Sequence, residues 1–363
     1  MAIRSLSAAE GDAQQVYTDP ANVDGDYAFQ GEYRGYQRSR PSTRSSEPIG
    51  LQVIALGNGE FAAVKYYGGL PGAGWRGDER FPYHGRRIDG MAILRGGQYD
   101  VELDGQIARI RTYDGREAGL LQKVERISPT MGAQPPQGAF VLFNGTNTEH
   151  FKNAKMTEDG LLLAGTETVA AWDDFRLHAE FRIPYKPLAR GQNRGNSGFY
   201  LQSRYEVQVL DSFGLEGVEN ECGALYKTKR PDLNMCLPPL TWQTYDIDFT
   251  SPKFSTTGEK IRDMQITVWH NGVKIHDHAR IPNKTGAGKP EAPIPLTTKL
   301  QDHGNPVVYR NIWIVPKDGS VPLTANWVKL PLKAPPVPVQ AWAPPLPIVI
   351  GVHGGVTFGP YCP

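Results

Sequence analysis

Cysteine is scarce in this sequence: Cys222, Cys236 and Cys362 are the only three among 363 residues. So few thiols exclude a densely cross-linked scaffold, and no CxxC or HExxH spacing offers a zinc site. Cys222 and Cys236 could bridge a loop in an oxidising compartment, and two reduced core thiols fit as well. Charge of one sign is lacking too. The formal net charge is +1, with acids and bases interspersed, so neither nucleic acid nor an anionic membrane is indicated as a partner. No apolar run approaches the roughly 18 residues that a membrane-spanning helix needs. The opening MAIRSLSAAEGDAQQVYTDP lacks the apolar centre of a signal peptide, which fits a cytosolic protein or a processed chain. Nucleotide motifs are missing as well: no GxGxxG follows a strand, and no Walker loop occurs.

Turn formers are abundant instead. Forty Gly and thirty Pro, with 10% aromatics, suit short strands joined by turns better than helical bundles. The length exceeds what one hydrophobic core usually serves, which predicts two domains. Residues 1–25 read as a flexible polar segment. Residues 26–127 read as a smaller β-rich domain, in which LQVIALG and EFAAVKYY are strands joined by an Asn58-Gly59 hairpin turn. Asp104-Gly105 marks a second hairpin. GGLPGAGW reads as a plain loop, since no helix and no Lys-Ser/Thr pair follow it to make a phosphate cradle. Residues 128–138 are a Pro- and Gly-rich linker. From 139 to 317, strand-like runs recur with almost no helical period, which predicts an all-β sandwich or jelly roll. Residues 318–363 are Pro-rich and read as an extended tail.

The stretch RGNSGFYLQSRYEVQVLDSFG, residues 194–214, alternates at period two. If it is one strand, Phe199, Leu201, Tyr205, Val207 and Val209 line one face. Tyr200, Gln202, Arg204, Glu206 and Gln208 then line the other. A half-buried strand with a wet outer face explains such alternation ordinarily. This wet row is rich in amide, guanidinium and carboxylate groups, which suits a polar binding wall. Asn196 opens the stretch; Glu180 lies in HAEFRIP, and Asp302, His303, Tyr309 and Arg310 lie in and after LQDHG. Amides and carboxylates bond sugar hydroxyls, and aromatic faces cover the apolar side of a pyranose. Plainer roles compete: Glu180 in a cross-strand ion pair, His303 in a turn before Gly304, Asp211 as the cap of the turn at Ser212–Gly214. His150, His270, His276 and His278 read as structural.

At these residues the chain resembles the 3-keto-disaccharide hydrolase domain family. The matching segments include FVLFNGTN, NSGFYLQSRYEVQVLDSFG, CGALYK, NMCLPPLTWQTYDIDF, NGVKIHDH and PIPLTTKLQDHGNPVVYRNIWIVP, in the family's order across 139–317. The resemblance implies a concanavalin A-like jelly roll with a carbohydrate groove on a concave sheet. It also implies export to the periplasm or beyond, as in secreted bacterial members, where a similar accessory β domain precedes this module. The substrates implied are 3-keto-glycosides. A ketone at C3 acidifies the C2 proton, so a base can remove it, an enediolate forms and the C1 aglycone leaves by β-elimination. Water then adds to the enone.

Such a site needs a base near neutral pKa, support for the enediolate oxygen and an acid for the leaving group. His303 is the expected base, Arg310 the expected oxyanion support and Glu206 a further acid/base. Asn196, Gln202, Gln208, Glu180, Arg204, Asp302 and Tyr309 are expected to position the sugar. No motif demands a cofactor; Glu180, Glu206 and His303, if adjacent, would suit a hard divalent cation such as calcium or manganese. The alternatives are a lectin-like binding module, a structural envelope protein, or a hydrolase working by two carboxylates. The run Glu206-x-Gln208-x-x-Asp211 departs from the glucanase pattern, which has a carboxylate where Gln208 stands.

Overall fold

A closed antiparallel barrel occupies the first half of the computed structural model, which describes residues 15–38 and 46–317. The expected tail over 318–363, with Cys362, and residues 1–14 lie outside the described residues. The barrel runs β1 (Gly31–Arg38), β2 (Ser46–Gly57), β3 (Glu60–Tyr67), β4 (Arg80–Ile88), β5 (Met91–Gly96), β6 (Tyr99–Leu103), β7 (Ile107–Arg111) and β8 (Glu117–Val124). Each strand pairs with the next, and β1 pairs with β8 to close the ring. Alternation decides what faces inward: Val101 and Leu103 on β6, and Ala108 and Ile110 on β7, are essentially buried. Asn58 and Gly59 both take positive φ between β2 and β3, as their hairpin requires.

The second half is a sandwich of two antiparallel sheets. Its strands are β9 (Phe140–Phe143), β10 (Phe151–Lys152), β11 (Leu162–Leu163), β12 (Thr166–Ala171), β13 (Phe175–Arg182), β14 (Ser197–Leu201), β15 (Tyr205–Val209), β16 (Trp242–Thr250), β17 (Lys253–Phe254), β18 (Lys260–Arg262), β19 (Met264–His270), β20 (Val273–Ile281), β21 (Thr297–Leu300) and β22 (Val308–Pro316). One sheet has the order β10-β12-β21-β14-β15. The other has the order β11-β22-β13-β16-β19-β20, with β9 on β22, while β17 and β18 pair separately. The molecule is therefore all-β, with a β-sandwich and a smaller N-terminal β-rich unit.

Aromatic residues knit the sheets. Phe199 of the five-stranded sheet meets Tyr309 edge-on at 5.3 Å and Tyr245 at 5.8 Å, both from the opposite sheet. Phe181 packs on Tyr245 at 4.8 Å. Each fully buried side chain of this kind contributes about 1.5–3 kcal/mol, so the inner faces hold the sheets together and leave the outer faces free for polar work.

The stretch 194–214 departs from a single strand. β14 and β15 are the two arms of a hairpin, in which Leu201 pairs with Tyr205 and Tyr200 with Glu206. The turn contains Gln202 and Ser203 at φ +49° and +54°. No Gly, Asn or Pro marks it, and Ser203 is its one turn former, a weak signal. Side-chain parity survives: Gly198, Tyr200, Glu206 and Gln208 share the outer face because 198 pairs with 208 and 200 with 206. Gln202 and Arg204 leave that row for the turn.

Candidate active site on the outer face of the five-stranded sheet

Strand register lays one polar row across all five strands of this sheet. Lys152 on β10 pairs with Glu167 on β12, Glu167 with Lys299 on β21, Lys299 with Tyr200 on β14, and Tyr200 with Glu206 on β15. Strands stand about 4.8 Å apart, so the row extends roughly 19 Å. A cavity of about 500 Å³ lies over it, lined by Lys152, Glu167, Tyr200, Lys289, Lys299 and Asp302 among others. Lys152 Nζ holds Glu167 Oε1 at 2.9 Å, and Thr297 Oγ1 donates to Glu167 Oε2 at 3.1 Å. Burial would raise the Glu167 carboxyl, but these bonds hold it below the usual range.

Glu206 ends the row behind Tyr200. It is 2% exposed, and its Oε2 has no hydrogen-bond partner among the described residues. Burial pushes its pKa up to about 7, against the neighbouring Tyr200 and the Lys299 charge, which both pull it down. Two glycines make room for it. A Cβ on Gly198 would stand 2.5 Å from Glu206 Oε1, and one on Gly286 3.2 Å from Oε2. The Gln208 amide lies 3.2 Å from Glu206 Oε1 and 3.0 Å from Gln192 Oε1. Asn196 Nδ2 bonds the Gln192 carbonyl at 3.0 Å, while its buried Oδ1 stays unpartnered. Tyr200 lines the cavity and stands directly across the strand pair from Glu206. Burial and Glu206 raise its phenol, so the hydroxyl keeps its proton. A carboxyl raised towards neutrality by burial thus lies behind a tyrosine that lines an open cavity.

The other expected site residues are dispersed. Asp302 lines the cavity, but His303 is exposed in a turn and does not line it. Gly304 N donates to Asp302 Oδ1 at 2.8 Å, and the His303 carbonyl accepts from Asn305 Nδ2 at 2.9 Å. Tyr309 points into the sandwich, its hydroxyl 2.6 Å from Ser197 Oγ. Gln202 donates to the Trp172 carbonyl at 2.9 Å, and Arg204 to the carbonyls of Pro290 and Ile294. Both bind loops rather than the cavity. Asp211 takes Arg194 Nε at 2.6 Å and caps Phe213 N at 3.3 Å, so it is committed to structure.

Glu180 and Arg310 lie on the other sheet altogether, cross-strand neighbours bonded at 2.7 Å. A bulge at Asn311 (φ +45°) leaves Arg310 on the outer face. There it stacks over Trp242, 3.9 Å from the ring centroid. Residues that follow the barrel bind this network. Gly132 N donates to Glu180 Oε1 at 2.6 Å, and Thr130 Oγ1 to Asp246 Oδ2 at 2.6 Å. The suggested Glu180–Glu206–His303 cation site is therefore not assembled, and no cluster of three His, Cys, Asp or Glu suited to a metal occurs among the described residues. Cys222 and Cys236 are both free thiols, buried together.

Lys152, Glu167, Lys289 and Lys299 line the cavity without standing out in the sequence. Lys299 was recoverable from the alternation Thr297, Lys299, Gln301 in LTTKLQ; the rest depend on register between distant strands.

A β-sandwich with a polar cavity on an outer sheet face suits carbohydrate. Residues 138–315 match the model of the 3-keto-alpha-glucoside-1,2-lyase-like domain. This part of the chain belongs to that family, the 3-keto-disaccharide hydrolase domain, and is carbohydrate-active in class. Two solved structures from Parabacteroides distasonis ATCC 8503, both provisionally assigned as glycosyl hydrolases, are similar. One is 31% identical, covering 49% of this chain and 84% of the other, with a TM-score of 0.46. The second is 20% identical, covering 49% and 93%, with a TM-score of 0.36. No curated protein matches the chain significantly.

Proposed function

We propose that the protein cleaves 3-keto-glycosides by C2 proton abstraction and β-elimination, with the Tyr200–Glu206 pair as its proton-transfer unit. One observation carries this reading: a nearly buried carboxyl, pushed up towards neutrality by burial and with one oxygen unpartnered among the described residues, stands across the strand pair from the tyrosine that lines the cavity. A base poised near neutral pH is what removal of an acidified C2 proton asks for. As the Tyr200 oxygen takes the C2 proton, its own proton passes to Glu206. The enediolate then collapses, the C1–O bond breaks, and the pair returns the proton to the departing aglycone oxygen. Water adds to the enone to give the 3-keto sugar.

Two-carboxylate hydrolysis is disfavoured because Asp211 is held by Arg194 and Gln208 cannot act as an acid. A purified sample is expected to release aglycone from a 3-keto-glucoside and not from the parent glucoside. Glu206→Gln should lower that rate by about 10² or more. Equal release from both glucosides, or full activity in the variant, would overturn the reading.

A further inference from the structure

The cavity has more cations than its own carboxylates need. Three ammonium groups, Lys152, Lys289 and Lys299, line it against two carboxylates, Glu167 and Asp302. Glu167 is taken by Lys152 and Thr297, and Asp302 caps the turn at Gly304. Lys299 and Lys289 make no hydrogen bond or ion pair through their side chains among the described residues, and reach Glu206 and Glu167 only through their charge. Lys299 is fixed in the row by its strand, and the Lys289 backbone is tied to the Ser203 carbonyl at 2.9 Å, which holds its stem at the rim. Lysines on a featureless surface would face bulk water, but these two look into a shared concavity. There an anion gains from both charges, with less screening than on an open face.

We infer that the part of the cavity around Lys289 and Lys299, beside Tyr200, is a subsite for an anionic substituent, a carboxylate or phosphate, carried by the group beyond the scissile bond. The inference rests on the reading of Tyr200–Glu206 as the reacting end. It names the substrate class as acidic glycosides.

Calorimetry separates the two, because binding needs no turnover. The probes are 4-carboxyphenyl β-glucoside, its methyl ester and the corresponding aryl phosphate glucoside. The carboxylate, the phosphate or both should bind about tenfold or more tighter than the ester, which identifies the preferred anion. That preference should shrink with added salt and fall towards one in the Lys289→Met/Lys299→Met double variant. Both side chains are exposed, so the variant should keep its melting temperature, which checks that the fold is intact. Equal affinity for all three probes, no binding of either anion, or a preference untouched by the double substitution would overturn the inference. Failure to cleave 3-keto-glucosides would instead count against the proposed reaction alone.

Discussion

At the scale of single residues, Glu206 dominates because its neighbours are small. Gly198 and Gly286 leave its carboxyl a space that any side chain would fill, and the same confinement strips water from it and raises its pKa. As the proton acceptor it works when ionised, so kcat/KM should rise with pH through about 7. Gly198→Ala tests the placement. Its Cβ would meet Glu206 Oε1 at 2.5 Å, so the carboxyl must leave its present position. The expected outcome is at least a tenfold loss of rate, a displaced pH profile and an unchanged circular dichroism spectrum. An unaltered profile would show that the position of Glu206 is immaterial. The sequence made Glu206 and Gln208 visible through their alternation. It pointed to His303 for the base because histidine has the right intrinsic pKa, whereas the structure shows burial tuning a carboxyl to the same range.

Among elements, the segment after the barrel behaves as a clasp on the seven-stranded sheet. His178 lies fully buried, with Asp246 Oδ1 at 2.7 Å from Nδ1, Glu180 Oε1 at 3.6 Å from Nε2 and Trp313 stacked at 4.9 Å. Burial lowers its pKa, but the bonds to Asp246 and Glu180 win and raise it to about 8. Gly132 and Thr130 of the linker bind those same two carboxylates. The folded pKa exceeds the ordinary 6.5, so this stabilisation is complete below pH 6.5 and lost as pH rises through 8. Between pH 6 and pH 9, wild type should lose on the order of 2 kcal/mol more unfolding free energy than His178→Gln. Glu206 acts equally in both proteins and cancels. Parallel losses by denaturant titration would contradict the clasp. Glu180 and Arg310 looked like groove residues because their types fit a sugar. Only the cross-strand register and the bulge at Asn311 reveal that they face away from the cavity.

For the whole molecule, alternation and turn residues made the all-β class, the barrel hairpin at Asn58-Gly59 and the sandwich core legible. They did not reveal the closure of β1 on β8, the turn at Gln202–Ser203 or the row from Lys152 to Glu206, which all depend on pairings between distant segments. The two sheets divide these polar residues between a buried clasp around His178 and a cavity backed by Tyr200 and Glu206. The central claim is that the Tyr200–Glu206 pair takes the proton from C2. It is tested most directly by running the reaction on a 3-keto-glucoside in D2O and following the released sugar by NMR at early times. The account predicts one deuterium at C2 of the product, and no product beyond background with Glu206→Gln. A product that retains its C2 proton would contradict it.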